Sequence, residues 1–497
     1  MIAEREAMLN KTLFNRKILS AVALALVVTG CSFKPVTPLK DTSYKASYAT
    51  TNINDMWWKD FKDGTLNELV DSALTHNSDL ALALNNIEIA RVSLGLSKLD
   101  YLPNIGYQAS ATRGNNIPMA PNSHSQGVYD VGAVLNYELD LWGRVRNSVD
   151  AKKSTYMATK YDYDSARLTI ASSVVTTYFR LLFLKEQEAI LKDTVASYVD
   201  TLKFRQNQIN AGSISSIVFY QAQAQVDSAK AQLTTVQNEI SSTNTALAIL
   251  TGKNYNEILY KDIKTTRVSQ PDMPEVPNGV PSDLLLHRAD VAASLERLKA
   301  SNFLVGAARA NYFPTFSLTG VLGYTSAEFD RIFVSRANDW HVGGSLVGPL
   351  LDFGRTSKRV EIANLEQNAS FINYDKTLKN AFGEVRDALV SRENAIKNQA
   401  SMENLLKSQK RVYDLANERY KTGYSDNLEL LDAQRGYLAA QLSYASSNLN
   451  VANSVVGVYK ALGGGFNLED NATKEVLESN TTINPTTSTN PFKDLDW

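Results

Sequence analysis

The chain repeats itself at a constant offset of 211 residues, and this duplication constrains its fold more than any other feature of the sequence. The matched positions run without a gap through most of the chain: Asp79 with Asp290, Leu84 with Leu295, Tyr101 with Tyr312, Pro103 with Pro314, Gly143-Arg144 with Gly354-Arg355, Tyr163 with Tyr374, Val174 with Val385, Gly212 with Gly423, Ala222-Gln223 with Ala433-Gln434, and Gly252 with Gly463. A constant offset means that two copies of one unit have kept the length of every element. The sequence therefore predicts a repeated architecture.

Each copy contains a very long stretch with almost no helix breakers. Neither glycine nor proline occurs between Gly143 and Gly212, and residues 355–422 of the second copy contain only Gly383. Apolar residues recur there in alternating steps of three and four, which is the spacing of a coiled coil. At 1.5 Å per residue, such a helix reaches on the order of 100 Å. A return helix follows each stretch, so we predict one long helical hairpin per copy, with turns near Gly212 and Gly423.

The N-terminus has the composition of an export signal. Three basic residues precede an apolar run and a short box that ends in the only cysteine of the chain: Lys11, Arg16 and Lys17, then Ile18 to Val28, then Val28-Thr29-Gly30-Cys31. A transmembrane anchor is the weaker alternative, because the run is about half of the roughly 20 residues that a spanning helix needs. The segment resembles a bacterial lipoprotein signal, which implies cleavage before Cys31 and its lipidation, with Met1 or Met8 as the start. Ser32 fits sorting to the outer membrane.

Four further segments alternate apolar and polar residues, as strands do. Their predicted bounds are residues 104–114, 127–141, 315–325 and 340–352. A soluble sandwich would show the same alternation. Strands of about ten residues with aromatic side chains near their ends, in a chain with an outer-membrane address, favour a membrane barrel. Glu138 and Asp140 on the second of these strands are then expected to line water and to favour cations.

Four strands cannot close a barrel, because membrane barrels need about eight strands and a water-filled lumen needs more. Two chains would give a barrel filled by its own side chains. Three chains give the smaller barrel that leaves a channel. We therefore predict a homotrimer whose fold class is α+β, with coiled-coil helical hairpins and four strands per chain.

Composition excludes several classes of function. Lys and Arg number 51 against 52 Asp and Glu, so there is no basic excess for nucleic acid. A single cysteine excludes an internal disulfide framework, and the four histidines are scattered, which argues against a metal centre. Nucleotide-binding and nucleophile motifs are absent from the sequence. We expect neither catalysis nor a cofactor nor a bound metal.

Two stretches resemble the outer-membrane factors of bacterial efflux pumps of the OprM and TolC type, in their lipoprotein branch. They are Trp57-Trp58-Lys59-Asp60-Phe61 with Leu66 and Leu69, and Arg419-Tyr420-Lys421-Thr422-Gly423 with Leu428 and Leu430 to Arg435. The resemblance covers essentially the whole mature chain. It implies a trimeric channel in which a twelve-stranded outer-membrane barrel continues into a twelve-helix periplasmic tunnel. The chain is then divided as follows: signal 1–30, N-terminal equatorial segment 31–63, first repeat 64–252, linker 253–282, second repeat 283–464, and C-terminal segment with a flexible tail 465–497.

The resulting interpretation is a passive exit duct for drugs and other toxic small molecules. An inner-membrane transporter supplies the energy, and a periplasmic adaptor connects it to the duct. A type I protein-secretion duct or a metal-ion efflux duct is the alternative within the same architecture. A lipid-anchored coiled-coil scaffold without a pore is a third reading, although it would have no use for the four amphipathic strands.

The resemblance also implies roles for the hairpin turns. The adaptor is expected to dock there, on Ala211, Gly212, Arg419, Thr422, Gly423 and Leu428. Closure of the tunnel near these turns makes Asp426 the candidate gate residue, since its first-copy equivalent is Ser215 and a trimer would carry three such carboxylates. The alternative for Asp426 is a helix N-cap, a position that aspartate often occupies.

Overall fold

A computed structural model describes residues 55–114, 126–260, 288–334, 337–422, 424 and 426–466. The helices are α1 (Gly64–His76), α2 (Ser78–Leu99), α3 (Arg144–Asn210), α4 (Ser216–Leu250), α5 (Tyr255–Tyr260), α6 (Ala289–Ala310), α7 (Arg355–Lys421) and α8 (Asn427–Ala461). The strands are β1 (Asn104–Gly114), β2 (Gln126–Leu139), β3 (Thr315–Ser326) and β4 (Asn338–Val347). The predicted signal with Cys31, most of the linker and the C-terminal tail lie outside the described residues.

The duplication predicted from the sequence is visible in the helix lengths. Helices α3 and α7 have 67 residues each, and the return helices α4 and α8 have 35 residues each. Helices α2 and α6, which precede the strands, have 22 residues each. Each copy therefore consists of a helix, a strand pair and a long helical hairpin, and the predicted fold class is confirmed.

The four strands form one antiparallel sheet in the order β1-β2-β3-β4. The central pair, β2 and β3, joins the two copies of the repeat, with Val131 opposite Tyr324. Gly132 lies opposite Gly323, and a Cβ atom on Gly132 would lie 2.9 Å from the Leu322 carbonyl oxygen. Glycine is required at this position because the two backbones approach too closely for a side chain.

Two strands end earlier than the sequence predicts. Strand β4 ends at Val347 rather than at 352, because its partner β3 begins at Thr315 and pairs that residue with Val347. Beyond this point Gly348 packs against Pro314, with room for no Cβ atom, since one would lie 2.6 Å from the Pro314 Cβ. Strand β2 ends at Leu139 rather than at 141, because the Asp140 carboxylate accepts from the first backbone amides of α3.

The hairpin core consists of the apolar residues predicted from the coiled-coil spacing. Leu184 and Leu191 of α3 pack on Val236 of α4, and Leu438 of α8 packs against the same cluster. Nearer the turn, Tyr198 packs on Val226 and Ala229. Among the described helices, α3 alone is long and apolar enough to cross a membrane, and 56% of its most apolar window is buried in the protomer, as in a core helix.

The described chain begins with a 3-10 turn, Trp57–Phe61, whose rings are buried. The Trp57 ring stacks on Tyr459 of α8, with centroids 5.1 Å apart. Burial and the nearby Asp60 carboxylate raise the pKa of Tyr459 to about 12, and its hydroxyl donates to Asp60 at 3.1 Å. This turn therefore fixes the N-terminal end of the described chain on the last long helix.

The described residues divide into two compact units. One contains Ile87–Thr159 and Ser294–Asp375, which include the sheet and the adjoining helix ends. The other contains the rest, including both hairpin turns.

Candidate functional site

The sheet has one apolar and one polar face. The apolar face has the aromatic and aliphatic residues of alternate positions, among them Tyr107, Val131, Leu322 and Trp340. The side chains of Tyr107, Leu322 and Trp340 are largely exposed in the protomer, and Val131 is half-buried. The opposite face has mostly small and polar residues, with Val134 and Val321 among the exceptions. A sheet with one exposed apolar face is typical of a protein that contacts lipid or another apolar partner there.

Four polar side chains, one from each strand, form a row on the polar face. Ser110 Oγ donates to Asp130 Oδ2 at 3.0 Å, and Thr325 Oγ1 donates to Asp130 Oδ1 at 2.9 Å. The Thr325 hydroxyl also lies 3.4 Å from Asp339 Oδ2. The polar face thus carries two carboxylates, Asp130 and Asp339, near the end of the sheet at which β3 ends and β4 begins.

Glu138 and Asp140 do not line water as free carboxylates. The Arg144 guanidinium donates to both oxygens of Glu138, at 2.8 and 2.7 Å, in the bidentate geometry of a strong charged pair. Asp140 accepts from the backbone amides of Val145 and Arg146, at 3.0 and 2.9 Å. The two carboxylates therefore fix the start of α3 at the end of β2, and the expectation of a cation-lining pair is wrong.

The first hairpin turn is exposed and ends α3 with a regular C-terminal motif. Ala211 continues the helical bonding, and Gly212 adopts a left-handed φ of 69°. Ser213 N donates to the Gln208 carbonyl at 2.9 Å, which is the bond of a Schellman motif. Ser215 then caps α4 through its hydroxyl. The predicted docking residues Ala211 and Gly212 thus lie at an exposed turn.

The second turn repeats this pattern around the predicted docking residues. Tyr424 N donates to the Arg419 carbonyl at 2.9 Å, which is the bond that Ser213 makes in the first copy. The Arg419 side chain forms an ion pair with Glu429 at 3.1 Å, and Thr422 bonds to the preceding turn of α7. Leu428 is 61% exposed. Gly423 lies outside the described residues.

Asp426, the candidate gate residue, occupies the N-cap of α8. Its Oδ1 accepts from Glu429 N at 2.9 Å, and its side chain is exposed. Ser215, 211 positions earlier, also caps its helix, although its hydroxyl accepts from Ile217 N, two residues on, at 3.4 Å. The capping alternative is therefore a structural fact, while the gate stays a prediction.

Arg205 was not identified as a site residue from the sequence. It is the one arginine among the mostly apolar positions of α3 that follow the coiled-coil spacing. Only 1% of it is exposed. Its guanidinium donates to the Tyr420 hydroxyl and, at 2.8 Å, to Asn427 Oδ1. The guanidinium carbon also lies 4.6 Å from the Tyr420 ring centroid. A single α3 side chain therefore connects the first hairpin to both helices of the second, next to the turns.

No group of histidine, cysteine, aspartate or glutamate side chains able to hold a metal ion occurs in the part of the chain that the structure describes.

Comparison with known proteins gives a consistent result. The model of the outer membrane efflux protein family matches residues 69–253 and 280–464. The solvent efflux pump outer membrane protein SrpC of Pseudomonas putida is 32% identical over 418 residues, which are 83% of this chain and 87% of that protein. The cation efflux system protein CusC of Escherichia coli is 27% identical over 453 residues, 89% of this chain and 97% of that protein. The crystal structure of the Campylobacter jejuni CmeC outer membrane channel superposes with a TM-score of 0.82 at 33% identity, covering 89% of this chain and 94% of that one.

Proposed function

The chain belongs to the outer membrane efflux protein family, and from this premise we propose how its residues form the exit of a pump. The family consists of channels and not of enzymes. The chain is accordingly the outer-membrane channel component of a tripartite efflux pump, which acts as a trimer together with pump partners and extends from the outer membrane into the periplasm.

Three copies of the four-stranded sheet close one barrel. The observation that carries this proposal is the sheet itself, which has two chemically different faces and, within the described residues, two edge strands, β1 and β4, with one neighbour each. Unpaired edges of this length are normally covered or closed. Pairing β4 of one copy with β1 of the next satisfies both edges, with the apolar face toward lipid and the polar face toward water.

The test is the conductance of the purified chain in planar bilayers. A channel gives discrete ion-conducting steps, and the particle in detergent has the mass of three chains. A lipid-anchored scaffold without a pore gives no steps, and that result would contradict the proposed function.

The cargo consists of apolar and amphipathic organic molecules, such as drugs and solvents. The relative named for solvent efflux shares more identity with this chain than the relative named for cation efflux, at 32% against 27%. A deletion strain should become sensitive to organic solvents and antibiotics and recover with the plasmid-borne gene. Sensitivity to metal cations alone would favour the metal-ion alternative, and loss of a secreted protein without any sensitivity would favour type I secretion.

A lipid on Cys31 supplements the barrel as a membrane anchor. The motivation is the box Val28-Thr29-Gly30-Cys31 after the apolar run. Metabolic labelling with an acyl chain such as palmitate should mark the wild type and not Cys31→Ala. Because the barrel is itself an anchor, Cys31→Ala exported through another signal should still form trimers.

The hairpin turns are the periplasmic docking site, and the tunnel is closed near them at rest. Both turns are exposed, follow 67 residues of uninterrupted helix, and present the same backbone motif twice in each chain. Six similar turns in a trimer suit a ring of adaptor ends. Asp426 is then placed three times around the axis, where like charges repel unless cations bind between them.

A further inference from the structure

The chain does not pass directly from β3 to β4. Residues 327–334, which we name the β3 exit segment, turn back beside the strands. The Phe329 ring lies 5.5 Å from the ring of Tyr129, and the Phe333 ring lies 5.8 Å from that of Tyr324, both edge to face. Tyr129 and Tyr324 belong to the apolar face of the sheet, because Tyr324 is opposite Val131 and Tyr129 is two positions before Val131. The segment therefore folds over the apolar face and away from the polar face.

The conformation of the β3 exit segment is held by local bonds. Glu328 N donates to Ser326 Oγ at 3.2 Å, and that hydroxyl donates back to the Glu328 carbonyl at 2.9 Å. A 3-10 turn follows over Phe329–Arg331, and the next residue, Ile332, is buried. The segment is thus a folded element with one anchored apolar residue.

The same segment leaves large apolar side chains uncovered. Phe329 is 71% exposed and Phe333 is 75% exposed, and Leu322 and Trp340 on the neighbouring apolar face are similarly exposed. Since Leu322 is paired with Trp340 and lies two positions from Tyr324, the uncovered rings continue the apolar surface of the strands. An exposed apolar surface of this kind marks a contact with lipid or protein.

The position along the strands identifies the partner. Helix α3 follows the C-terminal end of β2, and α6 precedes the N-terminal end of β3, so the helices join the sheet at one end. The β3 exit segment lies at the opposite end. In an outer-membrane barrel with periplasmic helices, that end is in the outer leaflet, where aromatic residues form an interfacial belt.

We propose that the β3 exit segment is a membrane-interface element that inserts Phe329 and Phe333 into the boundary between acyl chains and headgroups of the outer leaflet. This inference rests on the proposed barrel. The ion pair of Glu328 with Arg331, at 2.8 Å, lies on the same turn and is suited to the polar headgroup level. The segment thereby widens the lipid contact of each protomer beyond its strands.

Spin labels at single cysteines test this inference in the full chain, whose only natural cysteine is Cys31. Phe329→Cys and Phe333→Cys are labelled and reconstituted into phosphatidylcholine and phosphatidylglycerol vesicles, and power saturation compares access of oxygen with access of a water-soluble nickel chelate. Leu322→Cys is the control for lipid, and Tyr424→Cys at the second hairpin turn is the control for water, since Tyr424 is 81% exposed. The wild-type chain gives the background from Cys31.

We expect the ratio of oxygen to nickel access at 329 and 333 to be several-fold higher than at 424 and close to that at 322. Water-like ratios at 329 and 333 with a lipid-like ratio at 322 would overturn the inference and leave the barrel intact. Labels at 329 and 333 that neither reagent reaches would mean a protein partner, and would also overturn it. A water-like ratio at 322 would contradict the proposed barrel itself.

Discussion

Asn77 and Arg288, 211 positions apart, donate to the carbonyl oxygens of equivalent residues. Asn77 Nδ2 lies 2.9 Å from the Leu250 oxygen, and Arg288 Nη1 lies 2.9 Å from the Ala461 oxygen. Leu250 and Ala461 are the last residues of α4 and α8, whose final carbonyls have no partner within the helix. The two copies therefore cap the same helix end with different chemistry, and in the second copy the guanidinium also pairs with Asp290 and Glu384.

Replacing Arg288 should destabilise the protein. Arg288→Ala leaves a buried helix end without its donor, which costs about 2 kcal/mol of unfolding free energy. Arg288→Asn, which copies the first repeat, should lose less. Thermal unfolding in detergent measures both, and Arg91→Ala is the control, because the pair of Arg91 with Glu88 is exposed and should contribute under about 1 kcal/mol. Equal effects of the two alanine variants would contradict the capping role.

Removing Arg205 should loosen the second hairpin next to its turn. Arg205→Ala deprives Tyr420 and Asn427 of their shared partner, so we expect a loss of about 2 kcal/mol and a higher conductance of the resting channel. Lys203→Ala on the same helix is the control, since Lys203 is exposed and pairs only locally with Asp200. A lower melting temperature with unchanged resting conductance would mean that Arg205 stabilises the fold without affecting closure.

The two roles of Asp426 can be separated by one substitution. Asn caps helices about as well as Asp, so Asp426→Asn keeps the bond to Glu429 N and removes the charge. If the three carboxylates of a trimer bind cations near the axis, single-channel recording should show weaker block by Mg²⁺ and lower cation selectivity in the variant. Ser215→Ala is the control for a lost cap without a change in charge. Identical block and selectivity in Asp426→Asn and the wild type would leave only the cap.

Leu428 provides a test of adaptor docking that does not disturb folding, because it is exposed. Leu428→Arg should abolish complementation of solvent and antibiotic resistance in the deletion strain while the trimer still forms. Ile249→Arg, an equally exposed change at the far end of α4, should complement normally. Crosslinking from Leu428→Cys should capture the adaptor. Capture from Ile249→Cys instead would place docking away from the turns.

Asp164 on α3 should make stability depend on pH. Burial raises its pKa to about 6 from an ordinary value of 3.8, and the charges of Arg167 and Lys160 only partly oppose this. The folded state then holds the proton more tightly than the unfolded state, so stability falls as the pH rises from about 4 to about 6 and is constant above. Asp164→Asn should raise the melting temperature at neutral pH, by the equivalent of ~1–3 kcal/mol. The control is Asp193→Asn, which should not raise the melting temperature because Asp193 is exposed. If the melting temperatures of the wild type and Asp164→Asn differed by the same amount from acid to neutral pH, that result would contradict the titration of Asp164.

The elements were predictable from the sequence where the determining signal is local. The scarcity of glycine and proline after Gly143 and after Gly354 is sufficient to indicate α3 and α7, and strict alternation is sufficient to indicate strands. The end of β4 was not predictable in this way, because it depends on where Thr315 begins the partner strand. Alternation continues to Leu350 in the sequence, although pairing stops at Val347.

The functional side chains were harder to predict than the elements. Arg205 interrupts an apolar series and could be read as a tolerated substitution, because its partner Tyr420 is 215 positions away. Glu138 occupies a strand position that normally faces water, and only the structure shows that Arg144 neutralises it. A close pair between distant residues depends on register and helix packing, which the pattern of one segment does not contain.

The identical lengths of α3 and α7, and of α4 and α8, restrict how this gene can change. An insertion or deletion of one heptad in a single hairpin would leave six periplasmic ends of unequal length in a trimer, whereas the same event in both hairpins would preserve the match. Length variation among descendants should therefore arise in correlated pairs of events, 211 codons apart. For an engineer, the same rule makes the reach of the duct adjustable in whole heptads, provided that all four long helices are edited together.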